Sequence, residues 1–318
     1  MQIEGNVIVC DSIDEKGIGI LRNAGLNVEY LPEISQQELI TKVKDYDVII
    51  VRSRTKVTKD VINSAIRTKI IARVGVGLDN IDTLEAQKKN IEVINAGEAS
   101  VNAVSELVLG LMLSLSRNIP NANYATKQGK WIKKDLMGVE LKGKYLGIIG
   151  LGKIGRNVAR LARGLRMNLI GYDVVPIDKT FAQEVSLITT DIKTLIESSD
   201  YITCHVPFTE QTKHLINKEM FAIMKNGAFL INTSRGEVID EQALIDCLKN
   251  KKIGGAALDV YEVEPPINKE LLELDNLICT PHIGAQTKEG QELASAVIAE
   301  KIIQRLLERS QMDTSKPA

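Results

Sequence analysis

Residues 145–173 read YLGIIGLGKIGRNVARLARGLRMNLIGYD, and this stretch decides the fold. An apolar run from Tyr145 to Ile149 meets Gly150-Leu151-Gly152-Lys153-Ile154-Gly155. A segment with helical apolar spacing follows, then a second apolar run closed by Asp173. Strand, glycine turn, helix, strand and acid in that order are what a dinucleotide site requires. Gly150 permits the tight turn, Gly152 lets the backbone approach a pyrophosphate, and Gly155 lets helix and strand pack closely. The helix start at Lys153 and Ile154 turns unpaired N–H groups and a partial positive charge toward phosphates. Asp173 follows Gly155 by 18 residues, where a carboxylate accepts hydrogen bonds from both hydroxyls of an adenosine ribose. A 2′-phosphate would meet that negative charge, and Val174, Val175 and Pro176 bring no cation to offset it. The expected coenzyme is NAD rather than NADP.

Composition bounds the rest. The chain has 318 residues, 44% apolar and 25% charged, enough for about two domains with their own cores and unlike a disordered chain. Its 40 basic and 41 acidic residues nearly cancel, so no global field recruits nucleic acid or an anionic membrane. With 4% aromatic residues, base-stacking platforms are not expected. The opening MQIEGNVIVCDS lacks the basic start and sustained apolar run of a signal peptide. The most apolar helix candidate, Val104 to Leu115, is shorter than the ~20 residues that span a bilayer and reads as a buried helix. Cys10, Cys204, Cys247 and Cys279 form no CxxC pair and read as small core residues. A soluble cytoplasmic protein is expected.

Outward from the fingerprint, the first hundred residues alternate strand-like and helix-like patterns. Strand candidates are Val7–Cys10, Val28–Leu31, Val48–Val51, Ile70–Val74 and Val93–Ile94, with amphipathic stretches such as Gln37–Val43 between them. Such alternation implies parallel strands with crossover helices. A long helical region runs from about residue 99 to Arg117 and, after Pro120, on through Tyr124 and Ala125. Beyond the fingerprint a second series offers strands at Asn168–Tyr172, Tyr201–Cys204, Ala228–Ile231, Gly255–Leu258 and Leu277–Cys279. The stretch from Lys288 to Glu308 is strongly helical. Two doubly wound α/β units are expected. The segment Arg73-Val74-Gly75-Val76-Gly77-Leu78-Asp79-Asn80 also follows a strand but lacks the third glycine, so it reads as backbone N–H groups near a bound anion rather than a second nucleotide site.

Three segments past predicted strand ends, where open α/β sheets bind ligands, carry reactive side chains. Asn232-Thr233-Ser234-Arg235-Gly236 brings a guanidinium, Leu258-Asp259-Val260-Tyr261-Glu262-Val263-Glu264-Pro265-Pro266 several carboxylates, and Thr280-Pro281-His282-Ile283-Gly284-Ala285 an imidazole. Together they make an acid–base site. Singly, Arg235 also reads as a surface ion pair, Glu264 as a solvated loop residue and His282 as a loop histidine. His205 and His214 read as structural, with no charged partner pattern beside them. Cys279 and His282 resemble half a metal site with no second pair, so no metal is expected.

GLGKIG with Asp173, NTSRG, LDVYEVEPP and TPHIGA together resemble the D-isomer-specific 2-hydroxyacid dehydrogenases along nearly the whole chain. The resemblance implies that Arg235 binds the substrate carboxylate and polarises the C2 oxygen, that His282 moves the proton on that oxygen, and that Glu264 hydrogen-bonds the imidazole. A carboxylate there favours the imidazolium, so a proton donor exists near neutral pH. A guanidinium suits a planar carboxylate because it binds bidentately. Further coenzyme contacts implied by the resemblance fall on Val206, Pro207, Thr212, Thr233, Ser234, Asp259, Gly284 and Ala285, besides Arg235 and His282. Substrate contacts fall on Arg52, Ser53, Val74, Gly75, Val76 and Asn102.

The same resemblance implies a Rossmann nucleotide-binding domain, residues 99–284, inserted in a flavodoxin-like substrate domain of residues 1–98 and 285–318, with catalysis in the cleft between. Val101–Glu106 and Trp131 match the family's linking helix and arm, which implies a homodimer. Val51–Thr58, the Arg73–Asn80 loop and His282–Glu289 are most similar to members that oxidise 3-phospho-D-glycerate. A phosphorylated substrate needs extra cations; Arg52 is the candidate, with Arg73, Lys133 and Lys134 as helpers. Arg54, Lys56, Lys133 and Lys134 also read as solvated surface charges. Val76 stands where several relatives carry a hydroxyl. Only 36 residues follow His282 (318 minus 282), so a C-terminal serine-binding module is not expected. A glyoxylate or hydroxypyruvate reductase is the alternative enzyme; a nicotinamide-sensing binding protein is the alternative from another class.

Overall fold

The structure is a computed structural model and describes residues 3–314, with side chains as far as Gln311. It divides into two compact units, one running to Ser100 and resuming at Ala285, the other Val101–Gly284.

Among the described residues the first unit holds five parallel strands: β1 (Asn6–Val9), β2 (Asn27–Tyr30), β3 (Val48–Val51), β4 (Ile70–Arg73) and β5 (Glu92–Asn95). Their order is β2-β1-β3-β4-β5, the flavodoxin-like arrangement, reversing direction between β1 and β3. Each residue of Val48-Ile49-Ile50-Val51 is 0% exposed, as a strand covered on both faces requires. Alternation sorts the side chains. Val7, Val9, Val48, Ile50, Ile70 and Ala72 point to one core, while Ile8, Cys10, Ile49, Val51 and Ile71 point to the other. Helix Lys288–Thr314 closes the first core with Ala294, Ile298, Ala299, Ile302 and Leu306, a stripe at helical spacing. It is pinned to helix Glu15–Asn23 through Asp14 N–H to Ser295 Oγ (3.0 Å) and the Lys16–Glu292 ion pair (2.7 Å).

The second unit holds, among the described residues, seven parallel strands: β6 (Tyr145–Ile149), β7 (Asn168–Tyr172), β8 (Leu187–Thr189), β9 (Tyr201–Cys204), β10 (Phe229–Asn232), β11 (Gly255–Leu258) and β12 (Leu277–Cys279). The order β12-β11-β10-β9-β6-β7-β8 reverses between β6 and β9, which opens a crevice at the carboxyl ends of the strands. Helices Val101–Arg117 and Lys153–Gly164 share a core with β6 through Val108, Leu111, Met112, Leu115, Leu146, Ile148, Val158 and Ala162. Ile149, Leu195, Ile202, Leu230, Ala256 and Leu258 fill the opposite face.

The fold departs from the sequence pattern in three places. Strand β8 is additional to the expected strands; it is three residues long at a sheet edge, too short to show alternation. The helical region from Val101 breaks at Asn118, whose left-handed backbone (φ 51°) separates it from helix Ile119–Lys127, a conformation asparagine tolerates. Cys279 is exposed while Cys10, Cys204 and Cys247 are buried, because β12 is an edge strand. No helix among the described residues is long and apolar enough to cross a membrane.

Candidate active site

Strands β10, β11 and β12 are adjacent and in register, Asn232 beside Leu258 and Leu258 beside Cys279. Their carboxyl ends therefore lie side by side, and Arg235, Glu264 and His282 follow them on loops at one edge of the sheet. His282 Nδ1 meets Glu264 Oε2 at 2.8 Å. Both side chains stay partly open to solvent, 52% and 39% exposed. With Nδ1 engaged by the carboxylate, the imidazole's Nε2 is the nitrogen left to exchange a proton with a ligand.

Each loop is held by its own polar groups. Asn232 Oδ1 accepts from Ser234 N–H (3.0 Å) and Ser234 Oγ (2.8 Å), while its Nδ2 donates to the Arg235 carbonyl (2.8 Å). The half-buried Arg235 donates Nη1 to the Ser234 carbonyl at 2.6 Å. Tyr261 N–H donates to Glu264 Oε1 (3.3 Å), and Tyr261 OH donates to the carbonyls of Leu258 (3.2 Å) and Thr280 (3.0 Å). Gly236 binds the first loop to the second: a Cβ there would sit 1.9 Å from the Tyr261 carbonyl carbon and 2.4 Å from Glu262 N.

Asp259, 1% exposed, accepts from Thr280 Oγ1 (2.6 Å), Ile283 N–H (2.8 Å) and Gly284 N–H (2.8 Å). It thereby anchors the segment on either side of His282, a role that its place after β11 does not reveal. His282 itself has a left-handed backbone (φ 52°).

The glycine turn fits a dinucleotide. Gly150 has φ 92° and its backbone abuts that of His205; a Gly155 Cβ would fall 2.0 Å from the Gly150 carbonyl oxygen; nothing lies within 4 Å of a Gly152 Cβ. Helix Lys153–Gly164 starts without a side-chain cap, leaving its first N–H groups for an anion. Asp173 is held at the end of β7 by Leu151 N–H (2.6 Å) and Val175 N–H (2.9 Å). Thr233 Oγ1 is buried without a hydrogen-bond partner among the described residues, and a ligand group would satisfy it. Past β9, His205 N–H donates to the Ile149 carbonyl (2.7 Å), and Thr212 Oγ1 donates to the Pro207 carbonyl (2.7 Å). A Gly150 Cβ would lie 3.0 Å from Val206 Cγ1, so Val206 sits beside the turn.

Histidine 214 requires a correction: its Nε2 meets Glu262 Oε1 at 2.9 Å, so it does have a charged partner. The bond from His214 N–H to the Glu237 carbonyl (2.7 Å) brings its loop there. His205 fits its structural reading: Nε2 lies 3.0 Å from Thr203 Oγ1, and burial pushes its pKa down to about 4.

In the first unit, Arg52, Val74, Gly75 and Ala285 line one small cavity, whereas Ser53 is exposed on the loop beyond β3 and Val76 is 37% exposed. Asn102, in the second unit, accepts from Asn157 Nδ2 (3.1 Å). Gly75 does not aim its N–H at an anion: the turn closes tightly and the N–H donates to the Arg73 carbonyl (2.9 Å). Arg73 donates to the carbonyls of Arg52 (3.1 Å) and Gly77, so it braces the loop. Arg54 is no mere solvated charge. It pairs with buried Asp11 at 3.1 Å and donates to the carbonyls of Cys10, Pro32 and Ile34. Lys133 and Lys134 lie exposed in a short 3-10 turn of the second unit.

Residues 109–284 match the family model described as D-isomer specific 2-hydroxyacid dehydrogenase, NAD binding domain. The chain is 48% identical over 297 residues to a D-3-phosphoglycerate dehydrogenase of Methanocaldococcus jannaschii, covering 93% of this chain but 56% of that protein. It thus spans about half the length of several curated relatives it matches. It is 44% identical over 303 residues to a hydroxypyruvate reductase of Thermotoga maritima, covering 94% of this chain and 98% of that one. A glyoxylate reductase from Paecilomyes thermophila superposes with a TM-score of 0.87 at 26% identity, over 95% of each chain. The match across half the chain, and a relative aligned over nearly its full length, place this protein in the D-isomer specific 2-hydroxyacid dehydrogenase family, with NAD(H) as its coenzyme.

Proposed function

We propose that this protein is a D-3-phosphoglycerate dehydrogenase, oxidising 3-phospho-D-glycerate to 3-phosphohydroxypyruvate in serine biosynthesis. The observation that carries the chemistry is the 2.8 Å pairing of His282 with Glu264 on loops adjoining the Arg235 loop. Bound NAD supplies the acceptor for the hydride leaving C2. Gly150, Gly152 and Gly155 would seat its pyrophosphate, Asp173 its ribose, and Thr233 its nicotinamide end.

Arg235 holds the substrate carboxylate through a two-pronged guanidinium contact. As C2 becomes a carbonyl, its hydroxyl proton moves to His282 Nε2, and from there to solvent. Glu264 keeps the ring oriented and stabilises the positive charge it gains. In reduction the same proton returns to the substrate oxygen. General acid–base help of this kind contributes about 10²–10⁴-fold.

Arg52 supports the phosphorylated substrate, because its guanidinium contacts neutral oxygens and retains its charge for a dianion. The second reading, a hydroxypyruvate or glyoxylate reductase, is favoured by the Thermotoga relative, which aligns over 98% of its length. Both readings use the same machinery at C2 and differ at the phosphate. A homodimer accompanies the proposal: Trp131 and Met137, 83% and 88% exposed after helix Ile119–Lys127, form an apolar arm suited to a second copy.

The test follows NADH absorbance with 3-phosphohydroxypyruvate, hydroxypyruvate, glyoxylate and pyruvate. A kcat/KM for the phosphorylated acid at least tenfold above the others supports the first reading. Equal or greater rates with hydroxypyruvate or glyoxylate refute it in favour of the second.

A further inference from the structure

Three arginines cluster around the ends of β3 and β4, and the structure uses them differently. Asp11, 2% exposed, is a buried carboxylate just past β1. Its Oδ1 meets Arg54 Nε (3.1 Å) and Thr55 Oγ1 (2.6 Å), and its Oδ2 accepts the backbone N–H groups of Arg52 (2.5 Å) and Thr55 (3.2 Å). The negative charge therefore lies against the Arg54 side chain and the Arg52 backbone. Arg73 donates to the carbonyls of Arg52, past β3, and of Gly77 in its own loop.

The Arg52 guanidinium is different. It is fixed by two neutral acceptors, the Ser12 carbonyl to Nη1 (3.2 Å) and the Gln286 side-chain oxygen to Nη2 (3.3 Å). A guanidinium only donates, so Gln286 must turn its oxygen toward Arg52. Two neutral partners orient the fork without cancelling its charge. A carboxylate in the place of Gln286 would orient it equally well and neutralise it.

We propose that Gln286 is a positioning residue that determines specificity: it aims Arg52 at the substrate's phosphate and, being uncharged, leaves the full positive charge to the dianion. This rests on the reading of Arg52 as the phosphate's partner. Gln286 lies four residues beyond His282 in the sequence.

The experiment compares Gln286→Glu, Gln286→Ala and Arg52→Ala by steady-state kinetics on 3-phosphohydroxypyruvate and hydroxypyruvate, read as the ratio of the two kcat/KM values. Charge-assisted hydrogen bonds contribute about 1.5–3 kcal/mol, so neutralising Arg52 should lower that ratio on the order of tenfold in Gln286→Glu. The loss should lie in KM and approach that of Arg52→Ala, while Gln286→Ala lowers the ratio only a few-fold. Hydroxypyruvate turnover reports folding in the same preparations. A selective loss in Arg52→Ala with an unchanged ratio in Gln286→Glu overturns this inference and leaves the Arg52 reading standing. An unselective Arg52→Ala overturns the Arg52 reading, and this inference with it.

Discussion

Gly236→Ala isolates the coupling between the guanidinium loop and the carboxylate loop. The added methyl would lie 1.9 Å from the Tyr261 carbonyl carbon, 2.1 Å from its oxygen and 2.4 Å from Glu262 N, where ordinary contact begins at 3.4 Å. The two backbones must therefore part by about 1.5 Å, and neither neighbour is a flexible side-chain end that could swing away. Arg235 and Glu264 ride on those backbones, one residue before Gly236 and two after Glu262. A misplacement of about 1 Å costs on the order of 10²-fold in rate, so kcat should fall about 100-fold. Overpacking of this kind costs about 1–3 kcal/mol, which for a unit this size lowers the melting temperature by roughly 5 °C. Coenzyme affinity should fall less than kcat, since the glycine turn and Asp173 form a contact set separate from the displaced loop that carries Thr233. Stopped-flow NADH consumption, thermal melting by circular dichroism and NADH fluorescence titration read the three quantities. A folded variant with kcat within about twofold of the parent would refute the coupling.

Other substitutions separate the remaining roles. Glu264→Gln keeps a hydrogen bond to His282 but removes its charge, and kcat should fall about 10–100-fold, less than the roughly 10²–10⁴-fold loss of His282→Ala; equal losses would mean that the carboxylate does more than stabilise the ring. Asp259→Asn leaves one oxygen to serve groups that now use two, and should cost about 1–3 kcal/mol in urea unfolding together with a drop in kcat. Thr233→Val removes a buried hydroxyl without a partner among the described residues; stability should hold or rise by about 1 kcal/mol while NADH binds more weakly, and unchanged binding would remove Thr233 from the coenzyme site. His205, with its pKa pushed down to about 4 from an ordinary 6.5, takes up a proton on unfolding between those values. Stability should be full above pH 6.5 and fall as pH drops toward 4, a slope that His205→Gln should flatten in melting curves.

The parts of the fold that repeat locally are legible in the amino-acid sequence. Val48–Val51 is apolar at every position because helices cover both faces of the sheet, and GLGKIG with Asp173 carries its meaning in spacing alone. The reactive groups are legible as residue types past strand ends, since parallel strands put their carboxyl ends on one edge. What stays hidden depends on contacts between distant residues. Nothing in NTSRG says that Gly236 lies against Tyr261, and nothing in LDVYEVEPP says that Asp259 grips Thr280 and Gly284 while Glu264 turns to His282. Arg52 and Arg54 look alike in the sequence; only the position of Asp11 tells the structural guanidinium from the one with neutral partners. The His214–Glu262 pair escapes a sequence reading for the same reason, its partners being 48 residues apart.

Helix Lys288–Thr314 supplies Ala294, Ile298, Ala299, Ile302 and Leu306 to a core whose other members lie before Ser100. During synthesis, roughly 180 residues, Val101 to Gly284, emerge between the two halves. At about 5–20 residues per second, the nascent amino-terminal sheet waits on the order of 10–40 s with the face carrying Val7, Val9, Val48 and Ile50 covered by Ile18 and Leu21 of helix Glu15–Asn23 but not yet by the closing helix. The intervening segment meanwhile has all the strands of its own sheet in hand. The ribosome thus delivers the coenzyme-binding unit whole, while the sheet made first is the last to be sealed. That half-covered face is where chaperone capture or aggregation of the growing chain would begin.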